Sequence, residues 1–344
     1  MNTPLLTLSG LAVMGLVLTG CSSPVEPSPS EEQASIEIAE EVLPEEVVAG
    51  EMIDAESDLV VSQIIEGESV DRRSLVMLPR DYDPNKSYRI VLGFHGNGQS
   101  PEDFAWMAER VCSFEPQCIA VVPEGYKRSW NLGVEESTAD DVAFVTDLVG
   151  ELSTRYPLTS NFFAIGHSNG SGLVHVLATE TSLLRGIAGF GSMLIEGREP
   201  SAGTSSVSVL QVHGMDDDVI PYNGGDSPVG LRFVPVEQSA ALWAGVNDCD
   251  ASTSQALDNG GLILSFEGCA DNHRVLHYGL ADQGHDAGMS EEFALIASEF
   301  FSSVGYPASN HSVTPAWLRR LSDFANQPVD FFFHEICDCR VIVF

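Results

Sequence analysis

Gly166-His167-Ser168-Asn169-Gly170 holds one serine between two glycines. The stretch 161–165 before it reads as a buried strand, and the residues after it open a helix. G-x-S-x-G in that setting makes a sharp turn on which the hydroxyl projects above a sheet. The glycines let strand and helix pass closely, and the N–H of Asn169 at the helix N-terminus can receive an oxyanion. Such a serine attacks a carbonyl when a base stands beside it and an acid orients the base. His285, in Gly284-His285-Asp286, and an aspartate of the run Asp216-Asp217-Asp218 follow late predicted strands, in the chain order Ser, Asp, His. The base would take the proton of Ser168 as it attacks an ester and return it to the leaving alcohol; water would then release the acid. A second oxyanion donor is expected from the N–H of Asn97, in the loop after the strand ending at Phe94. Each group alone has an ordinary reading: a glycine turn, a solvated aspartate turn, a capping histidine. Their joint order is what indicates a triad. His95 and His213, each before a glycine at a strand end, read as structural, and His167 as packing beside the site.

Several elements must position these groups. Strands are predicted at 73–78, 89–94, 119–122, 161–165, 186–190, 206–212 and 274–278. Helices are predicted at 102–111, 138–156, 236–246 and 291–301, besides the one that follows the elbow. In the second of these, Val142, Val145, Leu148, Val149 and Leu152 fall on one face. Strands alternating with helices imply a mainly parallel sheet with helices on both faces.

The 344 residues leave room for one large or two ordinary domains, and 44% hydrophobic content supplies a core. A net charge of -34 argues against a nucleic-acid partner, because nothing offsets phosphate repulsion. Every charged side chain before Arg72 is acidic. Leu5–Leu18 is apolar but shorter than the roughly 20 residues of a spanning helix, and it fits a signal-peptide core. It ends in Leu18-Thr19-Gly20-Cys21, similar to the bacterial lipobox, although the usual basic n-region is missing. That resemblance implies lipidation of Cys21, and Ser22 after it implies outer-membrane sorting. Residues 22–58, rich in Pro, Ser and Glu, read as an extended, self-repelling tether. The folded domain is expected over 59–305, with 306–344 an extension to which no role is assigned. Setting Cys21 aside leaves six cysteines, for which Cys112–Cys118 and Cys249–Cys269 are plausible local disulfides in an oxidising compartment. Cys337 and Cys339 stand too close for an unstrained ring.

Six motifs occur in order: HGN at 95–97, PEGYKRSWNLG at 123–133, DDVAF at 140–144, GHSNG at 166–170, HGMDDDVIPY at 213–222 and GH at 284–285. Together they resemble the polyhydroxybutyrate depolymerase and feruloyl esterase group, secreted enzymes related to carbohydrate esterase family 1. The resemblance spans about residues 70–303. It implies the α/β-hydrolase fold, selects Asp217 as the acid and places Trp130 near the substrate cleft. Two departures stand out: Ser171 replaces a glycine, and Asp286-Ala287-Gly288 replaces a Trp-Pro-Gly. The expectation is an exported, lipid-anchored serine esterase with no cofactor and no metal. Feruloyl or related plant-polysaccharide esters are its expected substrates. A polyhydroxyalkanoate depolymerase is the alternative, and a non-catalytic binding lipoprotein on the same scaffold is the reading from another class. Convergence of Ser168, Asp217 and His285 separates the enzyme readings from the last. Oligomeric state is left open. Replacing Cys21 by Ala is expected to move the protein from membrane to soluble fractions; unchanged partitioning on fractionation would sink the anchor.

Overall fold

A computed structural model describes residues 50–54 and 58–305 of the chain. The expected signal segment, Cys21, the tether as far as residue 49, and the extension 306–344 lie outside the described residues. In chain order the elements begin with β1 (Met52–Asp54), β2 (Leu59–Ile65), β3 (Glu68–Pro79), β4 (Tyr88–Phe94), α1 (Pro101–Ser113) and β5 (Cys118–Pro123). There follow α2 (Asp141–Arg155), β6 (Leu158–His167), α3 (Asn169–Glu180), β7 (Gly186–Phe190) and β8 (Ser208–Gly214). The last are β9 (Gly225–Asp226), β10 (Arg232–Phe233), α4 (Val236–Val246), β11 (Ala251–Ala256), β12 (Leu262–Glu267), β13 (Val275–Leu280) and α5 (Glu291–Gly305).

The main sheet runs β1-β3-β5-β4-β6-β7-β8-β13-β12-β11, with β2 also paired to β3. From β5 to β13 neighbouring strands are parallel, and β4, β5, β7, β8 and β13 are buried along their whole length. Continuous apolar strands such as Ile90-Val91-Leu92 are what a sheet covered on both faces demands. One face packs on α2, α3 and α4, through side chains such as Phe144, Leu173 and Trp243. The other packs on α1 and α5, through Phe104, Met107, Phe293 and Phe300. The expected α/β-hydrolase architecture is therefore present.

Register brings the chemistry to one end. Phe94 lies beside Gly166, His167 beside Phe190, Phe190 beside Val212, and Gly214 beside Leu280. The carboxyl ends of β4, β6, β7, β8 and β13 thus share one edge, where ligands bind in open sheets of this kind.

Several elements differ from expectation. Met52–Asp54 falls inside the stretch read as tether, yet pairs with Met77–Pro79. The first long strand begins at Glu68, because Glu66 (φ 53°) and Gly67 (φ 87°) form a hairpin turn with β2. The β11–β12 hairpin was not anticipated; β11, ASTSQA, is exposed throughout and carries no apolar alternation.

One buried ion pair pins the long loop after β5. Arg72 lies 2.8 Å from Asp141, with both side chains about 2% exposed, and its guanidinium stacks 3.6 Å from the Phe144 ring centroid. Asp141 also accepts the N–H of Asn131 at 2.6 Å. The Cys112–Cys118 disulfide ties the end of α1 to the start of β5, and Cys249–Cys269 ties the end of α4 to the β11–β12 hairpin, as expected.

Two buried imidazoles set an acid limit. Burial pushes His175 down to about 3; burial, then the nearby His213, pushes His277 down to about 3. An unfolded imidazole titrates near pH 6.5. Their contribution is therefore complete above that pH and is lost as pH falls toward 3, where the unfolded chain holds the extra protons. Urea midpoints are expected to fall below about pH 6.5, each imidazole contributing up to about 1.4 kcal/mol per pH unit. A midpoint unchanged between pH 7 and 4.5 would show these groups to be charged in the fold.

Candidate active site

Strand β6 runs straight into α3 through Ser168, whose φ of 53° and ψ of -118° no serine adopts without support. The support is backbone. The N–H of Ser168 donates to the Phe190 carbonyl at 2.8 Å, and its own carbonyl accepts the Gly172 N–H at 3.0 Å. A Cβ at Gly166 would collide with the Gly170 carbonyl, and one at Gly170 with the carbonyl of Phe94. Glycine is required at both positions because strand and helix touch main chain to main chain.

His285 reaches Ser168 from the loop after β13. Its Nε2 lies 2.8 Å from the Ser168 Oγ, and its Nδ1 lies 2.8 Å from Asp217 Oδ2. An ionised carboxylate only accepts, so Nδ1 carries the proton and Nε2 is free to accept from the hydroxyl. Asp217 is fully enclosed. Its Oδ1 accepts the N–H groups of Val219 and Ile220, both at 2.8 Å. His213 Nε2 faces Oδ2 at 3.1 Å while donating to the Ile220 carbonyl at 2.8 Å. Burial works to raise the Asp217 carboxyl, but donors from His213, His285 and Ile220 overcome it and hold it well below the usual carboxylate range. The flanking Asp216 and Asp218 take no part in these contacts. The two loops also bind each other, the Asp216 N–H donating to the Gln283 carbonyl at 3.0 Å.

His95, His213 and His167 lie where the sequence reading expected them, outside the Ser168–His285–Asp217 line. His95 is buried, accepts the Gly125 N–H at 3.1 Å on Nε2, and is pushed down by burial. His213 is also buried and structural, though it touches the acid directly. The His167 ring packs 5.4 Å from that of His285, and its Nε2 lies 3.3 Å from the His285 carbonyl.

A cleft of about 440 Å³ opens beside Ser168. Leu132, Val134, Ile220, Val229, Leu231 and Phe233 give it an apolar side. Asn97, Lys127, Glu135 and Glu136 give it a polar one. Asn97 and Asn169 both line it; the N–H of Asn97 has no partner among the described residues, and that of Asn169, first in α3, has no acceptor within the helix.

Trp130 is the correction. Expected at the substrate cleft, its side chain is fully buried. The indole N–H donates to the His95 carbonyl at 2.8 Å, and the ring meets Phe94 edge-on at 5.2 Å. A large ring with one donor is better satisfied beneath the loop than in open solvent. The cleft wall comes instead from Lys127, Ser129 and Leu132 of the same motif and from Val134, Glu135 and Glu136 just beyond it, none of which the sequence reading singled out. Among the described residues no cluster of His, Cys, Asp or Glu could hold a metal ion, and no helix is long and apolar enough to cross a membrane.

No family model matches the chain. Curated relatives do. It is 26% identical over 251 residues to a probable feruloyl esterase C of Aspergillus niger, covering 68% of this chain and 84% of that one. It is 24% identical over 248 residues to feruloyl esterase C of Emericella nidulans, with the same coverage. Among solved structures, esterase 2 of Thermogutta terrifontis superposes with a TM-score of 0.49 at 15% identity, covering 74% of this chain and 96% of that one. The chain is similar to the feruloyl esterase group and is a carboxylic ester hydrolase.

Replacing Asp217 by Asn tests the acid. Asn keeps an oxygen for Val219 and Ile220 but turns an amide donor toward His285, forcing the wrong imidazole tautomer. The turnover of a chromogenic ester is expected to fall on the order of 10⁴-fold with the fold retained by circular dichroism; near-normal turnover would remove Asp217 from the reaction.

Proposed function

We propose that the chain is an exported serine esterase that works through an acyl-enzyme on feruloyl or related plant-polysaccharide esters. The observation that carries this reading is the unbroken line Asp217–His285–Ser168, 2.8 Å at each contact, opening into the cleft. Ser168 attacks the ester carbonyl as His285 takes its proton; Asp217 stabilises the imidazolium that forms. The oxyanion is received by the N–H groups of Asn97 and Asn169, each such donor contributing about 3–4 kcal/mol to the transition state. His285 then protonates the departing sugar alcohol, and a water, deprotonated by the same imidazole, releases the acid. A non-catalytic binding role predicts no such alignment.

The cleft's two-sided lining supports the substrate class. Leu132, Val134, Ile220, Leu231 and Phe233 suit a flat aromatic acyl group, and the polar side with Asn97 and Lys127 suits its oxygen substituents and a sugar. The names of the curated relatives point the same way. The two disulfides fit an oxidising compartment. A lipid anchor at Cys21, an acidic tether and an esterase domain over about residues 59–305 complete the proposal.

A fluorophosphonate probe applied to wild type beside Ser168→Ala tests the chemistry: labelling is expected in the first and absent in the second. Folded wild type that resists the probe would refute the activated serine. Substrate class is then read by product release. Free hydroxycinnamate from its methyl or arabinosyl esters is expected, and hydrolysis of hydroxybutyrate oligomers alone would transfer the assignment to a polyester depolymerase.

A further inference from the structure

Glu135 was not singled out by any motif, yet it sits in the cleft wall and is tied to the residue after the nucleophile. Its Oε1 accepts from Asn169 Nδ2 at 3.0 Å. Its Oε2 accepts the N–H groups of Leu132 at 2.7 Å and Val134 at 3.2 Å. Asn169 in turn grips the main chain of Trp130 at both ends: Oδ1 accepts its N–H at 2.8 Å, and Nδ2 donates to its carbonyl at 2.9 Å. Three hydrogen bonds thus join the carboxamide at the start of α3 to the wall loop 129–135, and two more fix the Glu135 carboxylate within that loop.

We propose that Glu135 is a positioning residue of the oxyanion hole, locking Asn169 so that its N–H points at the developing oxyanion. The proposal rests on the serine-esterase reading above. Ser168 holds a strained backbone angle immediately before Asn169, and the peptide joining them turns with that angle. Side-chain ties on Asn169 resist that rotation. A donor displaced by as little as about 1 Å can reduce rate roughly 100-fold.

The charge of Glu135 makes the sign of the test decisive. A carboxylate beside a place where negative charge develops is unfavourable by Coulomb's law. If Glu135 were only a nearby charge, Glu135→Gln would speed the reaction. If it positions Asn169, Glu135→Gln must slow it. A carboxamide cannot accept on both ends, so either Asn169 Nδ2 or the Leu132 and Val134 N–H groups would face another donor.

The experiment compares wild type, Glu135→Gln, Glu135→Ala, Asn169→Ala and Glu135→Ala with Asn169→Ala. The readouts are kcat and KM on an aryl ester, fluorophosphonate labelling rate and thermal midpoint. Expected are a roughly 10- to 100-fold loss of kcat and labelling rate in both Glu135 variants, with KM changed less than about threefold. The double variant is expected to lose no more than Asn169→Ala alone, because the two act as one unit. Unchanged or faster turnover in Glu135→Gln, or losses that multiply in the double variant, would overturn the positioning role. A lowered midpoint with normal kcat per folded molecule would reduce Glu135 to a loop tie and overturn it equally. If Glu135→Ala does not fold, Glu135→Gln, similar in size, decides alone. Wild type that neither labels nor turns over would refute the esterase reading instead, which keeps the two failures apart.

Discussion

Main chain lies directly on main chain where α3 starts. Gly170 rests against the carbonyls of Phe94 and His95, and Gly166 against Gly170 itself. Side chains there would separate β4, β6 and α3 at the point where the sheet delivers its residues. The geometry of the candidate site depends on that close approach. It forces Ser168 into its strained angle, leaves the Asn169 N–H at the first turn of the helix, and brings the loop after β4 close enough to share the cleft. The flanking strands make the strain tolerable, since Phe190 supplies an acceptor for the Ser168 N–H.

The cleft's other wall has little regular structure, and polar chemistry holds it. The loop after β5 is anchored from beneath by Trp130, from the sheet edge by Arg72 through Asp141 and Asn131, and from the helix by Asn169 and Glu135. Burying an ion pair such as Arg72–Asp141 is expensive in desolvation, and its net contribution to stability is accordingly modest. Removing one partner, in contrast, would strand a charge and cost about 3–5 kcal/mol. The pair therefore specifies where the loop lies more than it adds to overall stability.

What could be read from residues alone follows from how local the signals are. The elbow combines a strand, two glycines and a serine within ten residues or so, and the parallel strands are unbroken apolar runs. The acid and base stand at strand ends in a fixed order, so Ser168, Asp217 and His285 could be named before their geometry was known. Edge elements were less legible. β11 has no apolar alternation because it buries no side chain, and β2 is set off from β3 by the Glu66-Gly67 turn. Trp130 misled because its position in a motif says that it is near the site, not on which side of the loop its ring lies. Glu135 gave no signal, since its partners are main-chain N–H groups and an amide 34 residues away.

The placement of His285 has a consequence for timing. The base rides on the loop after β13, the last strand to enter the parallel sheet, and that loop sits on Gly214 at the end of β8. A chain emerging amino end first can assemble Ser168 and its elbow long before it possesses a base. On the proposed reading, the base reaches Ser168 only once β13 lies beside β8. Completion of the sheet would, on that reading, be what brings Asp217, His285 and Ser168 into one line.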